Sequence, residues 1–362
     1  MININSLLKT NDTERLPVIN MRSSATLVKG HGVASCYEEQ VKLVTEGLSG
    51  HFKVVENSFR RCDIAHYHTV NPQYFFERLL NRRTTSGIGY VHFLPDTVDQ
   101  SLRMPPVIRR MFYKYLLAFY NSMDYLVAVN PNVINKLENY GVTRPKFVYI
   151  PNYVSDCQFY EQDAGTIAGT RRKFGVPEDV FVVLGAGQLQ TRKGIRDFVK
   201  TAGLLPHIQF VWAGGFSFGP LTEGYDEIRA IVARPPENVR FLGIVERKQM
   251  NAIYNMADLM FLPSYDELFP MTILEAMCCG KPIVLRDVDI YPKILFDSYI
   301  KGKSAEEFAR RIEELRNDPA AMARWKEKIR GCHNLYSRDN ILRIWESLYT
   351  EALQLNSVLE KV

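Results

Sequence analysis

The chain has 362 residues, of which 46% are hydrophobic and 23% charged, with a formal net charge of +5. That length exceeds what one hydrophobic core usually organises, so two domains are expected, and the composition excludes a disordered polymer. No run of about eighteen uncharged apolar residues is present to span a bilayer. The opening MININSLLKTNDTERLP also lacks the basic end and apolar middle of a signal peptide, so a cytosolic location is expected. The six cysteines at 36, 62, 157, 278, 279 and 332 form neither paired CxxC spacings nor a dense framework. They are expected to be reduced, packed thiols rather than zinc ligands or disulfides.

The charge is distributed unevenly. Residues 1–155 contain 18 Lys and Arg against 12 Asp and Glu, whereas the remainder contains 27 against 28. A one-sided basic excess points to a polyanionic partner, either nucleic acid or an anionic membrane surface.

In chain order, the first half alternates short apolar runs with helical stretches: PVINM, VASCYEEQVKLVTEGL, KVV, DIAHYH, PQYFFERLLNR, GIGYVHF, a long segment from Pro106 to Met123, DYLVAV, NVINKLENY and KFVYIP. This alternation, with strands that are continuously apolar, predicts a parallel sheet covered on both faces by helices. From Pro151 to Gly169 the periodicity lapses, which predicts an interdomain connection. The alternation then restarts with FVVLGAG, IQFVWAGG, VRFLG, DLMFLP and KPIVLR as strands, separated by helices beginning near Gly194, Tyr225, Glu246 and Pro270. After Arg286 the strand signal fades into helices over 304–315, 319–330 and 339–354. The fold class is therefore α/β, with two doubly wound Rossmann-like domains facing a cleft. The expected divisions are residues 1–155, a linker 156–169, residues 170–335, and a C-terminal helix in 336–362 packing back toward the first domain.

Ligands of doubly wound sheets sit beyond the carboxyl ends of the strands, and two glycine loops fall there. GAGQLQTRKG, residues 185–194, ends in Arg192 and Lys193 at a helix start; backbone N–H groups and a cation make an anion site, although an ordinary strand-to-helix turn also accounts for it. Lys29-Gly30-His31-Gly32-Val33 follows the first strand and, taken alone, reads more readily as a simple tight turn than as an anion loop. His66 and His68 end one strand and His92 another, with Asp96 four residues on. No carboxylate or cysteine cluster accompanies the histidines, so a metal site is disfavoured. His92 suits either a donor to a phosphate or sugar oxygen or a satisfied structural histidine. No GxSxG elbow supports Ser/His/Asp chemistry.

The segment Pro106 to Met123 carries Ile108, Phe112, Tyr115, Leu116, Phe119 and Met123 at helical spacing, with Arg110, Lys114 and Asn121 opposite and Arg109 at the boundary. PQYFFERLLNRR adds aromatic residues beside Arg78, Arg82 and Arg83. Between Arg60 and Lys114 there are nine basic and four acidic residues. Cations mixed with aromatic residues suit a membrane interface, and without a nucleic-acid-binding motif nucleic acid is the less favoured partner.

The stretch Ser264 to Arg286, SYDELFPMTILEAMCCGKPIVLR, places seven residues between Glu267 and Glu275, the second opening a helix that stops at Gly280 before a buried strand. It resembles the signature of the retaining glycosyltransferases of family 4, which have the GT-B fold. GAGQLQTRKG resembles that family's diphosphate loop and YNMADLMFLPS its usual lead-in. Within the family, INMRSSATLVKGHGVASCYEEQVKLV, DIAHYHTVNP and GYVHFLPDT are most similar to bacterial enzymes that add a second sugar to monoglycosyl-diacylglycerol.

The resemblance implies that Glu275 binds the nucleotide ribose and Glu267 the transferred sugar. The amides of Leu268 and Phe269 would reach other sugar hydroxyls, Lys193 would neutralise the leaving diphosphate, and His92 would face the sugar across the cleft. Gln188 stands where the family has Arg, which removes one cation; Arg192 or the Gly30 to Gly32 loop is the expected substitute. Pro270 stands where many members have Gly. The implied reaction is metal-independent hexosyl transfer with retention, without a cofactor, from UDP-glucose or UDP-galactose to a glucosyl-diacylglycerol-type acceptor. His68, Asp96, Arg109, Arg110, Phe112 and Lys114 would serve the acceptor and an anionic membrane at the inner face of the cell membrane. The alternatives are a soluble or polyprenyl-linked acceptor, or a catalytically silent sugar-nucleotide-binding partner of another transferase. A glycosidase dyad is disfavoured, because both carboxylates belong to one loop and helix rather than to opposite sides of a bond.

Overall fold

The computed structural model describes residues 15–27, 32–99 and 101–359. The first half runs β1 (Val18–Arg22), α1 (Gly32–Gly47), β2 (Lys53–Glu56), β3 (Ile64–Tyr67), α2 (Pro72–Asn81), β4 (Ser86–Val91), α3 (Pro95–Asp99), α4 (Pro106–Asn121), β5 (Tyr125–Ala128), α5 (Pro131–Asn139) and β6 (Lys146–Tyr149). Its six strands are all parallel, in the order β2-β1-β3-β4-β5-β6. Strands β1, β3, β4 and β5 are buried along their length, as their continuous apolar sequences require when helices cover both faces.

The second half runs α6 (Ala164–Lys173), β7 (Val182–Ala186), α7 (Ile195–Leu204), β8 (Gln209–Ala213), α8 (Tyr225–Ala233), β9 (Val239–Phe241), α9 (Arg247–Met256), β10 (Leu259–Leu262), α10 (Met271–Cys278), β11 (Ile283–Arg286), β12 (Ile300–Gly302), α11 (Ala305–Asn317), α12 (Pro319–His333) and α13 (Arg338–Leu359). Its sheet is again parallel, ordered β12-β11-β10-β7-β8-β9. β12, a three-residue strand paired to β11, is one that hydropathy did not signal. The expected irregular stretch ends earlier than Gly169: Asp163 caps α6, its carboxylate accepting from the Thr166 amide at 3.0 Å, which satisfies an otherwise orphaned donor.

The last helix belongs to the first sheet. Trp345, Tyr349 and Ala352 of α13 are buried; the Tyr349 hydroxyl lies 3.0 Å from His66 Nδ1, and the Ser86 hydroxyl donates to the Ala352 carbonyl at 2.6 Å. Each large apolar side chain covered this way contributes roughly 2 kcal/mol.

Helices α2 and α4 touch through Phe75, Tyr115 and Phe119. Arg78 departs from the expected basic surface. It is 1% exposed, paired with Asp124 at 2.7 Å, and donates to the carbonyls of Ser122 and Thr85. Leu116, Phe119 and Met123 face inward as their spacing predicts. Ile108 does not: together with Val107 and Met111 it is exposed on the first turns of α4. Among the described residues no helix is long and apolar enough to cross a membrane.

Candidate active site

The second sheet places the two motifs side by side. From β7 the chain winds outward through β8 and β9 and then returns to β10 on the other flank of β7, so the loops leaving β7 and β10 part at a topological switch point. Gly194 lets them close together. It has φ 71°, and a Cβ there would lie 2.3 Å from the Pro263 carbonyl oxygen, so another residue would be both strained and blocked.

Here Lys193 Nζ approaches Glu267 at 2.5 Å and Arg192 lies 3.4 Å from the other carboxylate oxygen. Burial acts to raise the Glu267 carboxyl, but Lys193 and Arg192 outweigh it and hold the group below its usual value. Burial lowers the Lys193 ammonium against the pull of Glu267. Arg192 is tied further to the Asp266 carbonyl, Ser101 and Gln190, and Gln190 donates to Gln188 at 2.6 Å. The position lacking a cation is thus joined to Arg192 through one intervening amide.

Glu275 lies on the buried face of α10. One of its oxygens accepts from Arg247 at 2.6 Å and the other from the Tyr254 hydroxyl at 2.7 Å. Arg247 also binds Glu39 of α1 at 2.6 Å and lies 4.9 Å over the Phe159 ring, so one guanidinium joins both halves of the chain. Burial works against its charge, yet Glu275 and Glu39 keep it above its usual value. A carboxylate has about four lone-pair positions, so both Glu275 oxygens retain capacity to accept from a ligand.

At the start of α10 the Phe269 carbonyl accepts from Asn152 at 2.7 Å and the Leu268 carbonyl from Asn130 at 3.4 Å. Among the described residues no protein group accepts from the backbone N–H of Leu268 or Phe269. The Thr272 hydroxyl oxygen, on the first turn of α10, is likewise buried without a partner among them. A helix amino terminus with free donors favours an anion.

Lys193, Arg192, Glu267, Glu275, Arg247 and the Leu268 to Thr272 turn line a cleft of about 920 Å³ that also takes in Gly32, His92 and Gln188. Gly30 lies outside the described residues. His68 is 1% exposed and sits within a ring column, its centroid 5.2 Å from Tyr90 and 5.9 Å from His92; it stands behind the cleft wall rather than on it. Asp96 accepts from the Tyr140 hydroxyl and pairs with Lys136 at 3.7 Å. Arg109, paired with Asp99 at 3.5 Å, lies with Arg110, Phe112 and Lys114 on α4, apart from the cleft lining. Arg247, Tyr254, Glu39 and Thr272 are the groups that sequence reasoning missed; Thr272 lies inside the Glu267 to Glu275 interval, Tyr254 opens YNMADLMFLPS and Glu39 lies in VASCYEEQ, whereas Arg247 carried no local signal.

Two parallel sheets across a cleft, with cations, two carboxylates and a helix amino terminus at one switch point, define an α/β protein of the GT-B type. The solved structures agree on the fold: sucrose-phosphate synthase from Thermosynechococcus elongatus superposes with a TM-score of 0.75 at 18% identity, covering 94% of this chain and 100% of that one. The Anabaena protein Alr3699/HepE, solved with UDP-glucose, gives 0.74 at 16% identity over 92% and 99%. Residues 167–331 match the family described as glycosyl transferases group 1. The chain is 41% identical to the alpha-galactosylglucosyldiacylglycerol synthase of Streptococcus pneumoniae over 93% of its own length and 90% of that protein. It is 28% identical to the processive diacylglycerol alpha-glucosyltransferase of Acholeplasma laidlawii over 76% and 81%. The chain belongs to the group 1 glycosyltransferases.

Proposed function

We propose that this glycosyltransferase moves glucose or galactose from a UDP-sugar to a glucosyl-diacylglycerol-type glycolipid, with retention of configuration and without a catalytic metal. The observation that carries the reading is the pairing inside the cleft: a buried Glu267–Lys193 contact beside a Glu275 already held by Arg247 and Tyr254. Arg247 and Tyr254 fix the Glu275 carboxylate so that its remaining lone pairs meet the two ribose hydroxyls. The arriving diphosphate competes with Glu267 for Lys193, which neutralises charge as the sugar–phosphate bond breaks, and Arg192 supplies the second cation in place of Gln188. Released from Lys193, Glu267 accepts from a sugar hydroxyl, and the Leu268 and Phe269 amides donate to others. His92 faces the sugar from the first half, and the departing diphosphate takes the acceptor hydroxyl proton.

The acceptor enters from the first half, residues 1–155 with α13. There Phe76, Leu80, Val107, Ile108 and Met111 are exposed on the touching helices α2 and α4, which also present Arg110 and Lys114, with Arg82 and Arg83 exposed in the turn that ends α2. Apolar side chains among cations suit the acyl and headgroup boundary of an anionic membrane. The similarity to two diacylglycerol-glycolipid enzymes supports this acceptor class. The test is transfer by the purified protein from UDP-glucose and UDP-galactose to glucosyl-diacylglycerol in mixed vesicles, with anomeric and linkage analysis of the product and with magnesium and manganese omitted. Intact UDP binding with no transfer to any glycolipid would overturn the reading.

A further inference from the structure

Outside the cleft, three unlike side chains from distant parts of the sequence converge at the junction of the two halves. Asp156 lies in the connection from the first sheet to the second, Cys278 ends α10, and His333 ends α12 just before the chain returns to the first sheet. Cys278 Sγ is 3.1 Å from His333 Nε2 and 3.6 Å from an Asp156 carboxylate oxygen, and that oxygen is 3.4 Å from the same nitrogen. We propose that Asp156, Cys278 and His333 bind one divalent transition-metal ion, with zinc the best suited.

The geometry carries the proposal. Zinc binds sulfur at about 2.3 Å and nitrogen or oxygen at about 2.0 Å in tetrahedral sites, so neighbouring ligand atoms stand roughly 3.3 to 3.6 Å apart. The triangle formed by Sγ, Nε2 and the carboxylate oxygen already approximates one face of that tetrahedron. A thiol, an imidazole and a carboxylate form a borderline-soft set that favours zinc and its neighbours over magnesium or calcium, which seek oxygen alone. With the imidazole nitrogen unprotonated, the single thiol proton serves either nitrogen or carboxylate but not both, whereas a cation satisfies all three lone pairs. The Asp156 side chain is 62% exposed and that of His333 17%, which gives the ion a way in and leaves water the fourth position.

The bound ion would join both segments that connect the two halves to the carboxyl end of α10, one helical turn beyond Glu275. Its role is structural, and it stands independently of the transferase reading because none of the three residues lines the cleft. Sequence spacing concealed it: the ligands are separated by 122 and 55 residues, far from the compact spacings that mark zinc motifs.

The experiment is titration of the chelator-stripped full chain with cobalt as a spectroscopic substitute for zinc. One cobalt ion per chain with thiolate-to-cobalt charge-transfer absorption, displaced by zinc, is expected. The absorption should vanish in Cys278→Ser, persist in Cys157→Ser, and require at least ~10-fold more cobalt in His333→Ala or Asp156→Asn. A wild-type readout removes dependence on variants that fold poorly: zinc should protect Cys278, but not the exposed Cys157, from alkylation as mapped by mass spectrometry. Cobalt binding without sulfur charge transfer, absorption surviving in Cys278→Ser, or unchanged alkylation of Cys278 would each overturn the site.

Discussion

The two halves share one plan, six parallel strands wrapped by helices, and use their polar residues in opposite ways. In the second half the charges point into the cleft and are paired there: Lys193 and Arg192 on Glu267, and Arg247 on Glu275. In the first half the sheet end is lined by rings, with His66, His68, Tyr90 and His92 in mutual contact, and cations such as Arg110 and Lys114 stand on the outer surface. On the proposed reading, one topology would serve two kinds of recognition: the buried Lys193–Glu267 pair would exchange partners with a charged ligand, and the outer belt of cations and apolar side chains would meet a membrane surface.

The contrast is most severely tested at Lys193. Lys193→Ala should lower kcat by roughly 100- to 1,000-fold, the size of losing one preorganised donor to a developing charge, with a much smaller change in KM; an effect confined to KM would make the residue a binding group only. Next, Glu275→Ala should weaken UDP binding about 100-fold by calorimetry, because two hydrogen bonds to a charged acceptor disappear. Unaltered affinity would remove its ribose assignment. For the outer belt, replacing Arg109, Arg110 and Lys114 by Glu should weaken binding to anionic vesicles at least ~10-fold while leaving UDP affinity intact. Equal binding by the variant would move the membrane surface elsewhere.

A smaller effect probes the rings. Burial lowers the His66 imidazole to about 3, while an unfolded chain takes up that proton near its ordinary value of 6.5. The native state therefore binds fewer protons in that interval, so stability is full above pH 6.5 and falls as pH drops toward 3. His68, lowered by burial as well, acts in the same direction. The thermal midpoint of His66→Gln should fall less steeply with acid than that of the wild type, as scanning calorimetry would record. Smallest of all, Gln188→Arg should change UDP affinity only a few-fold if Arg192 already supplies the second cation; a gain near 100-fold would show that position 188 leaves a charge unmet.

What could be read in advance follows the same divide. Strands other than β12 announced themselves as short apolar runs, and Glu267, Glu275 and Lys193 stood in short motifs whose spacing is local. The Arg247 bridge was not legible, because Glu39 lies 208 residues away in sequence and nothing near either residue signals the other. Nor was the inward turn of Arg78, since a lone arginine beside Arg82 and Arg83 reads as surface until Asp124 is placed against it. His68 follows β3 and so falls by sequence at the cleft end of the sheet, but its side chain turns into the ring column instead. Helical periodicity found the buried residues of α4 and overextended to Ile108, because it locates a stripe without telling how far the covering surface reaches.

The return of α13 to the first sheet has a consequence for how the molecule is made. The sheet's last strand ends at Tyr149, yet Trp345 and Tyr349, which cover His66 and Tyr90, arrive roughly 200 residues later. At translation rates of about 5 to 20 residues per second that is a delay of roughly 10 to 40 s, during which the second half can complete its own core. The first half emerges early and is finished late, so for part of its synthesis the ring column is an uncovered apolar face in need of protection.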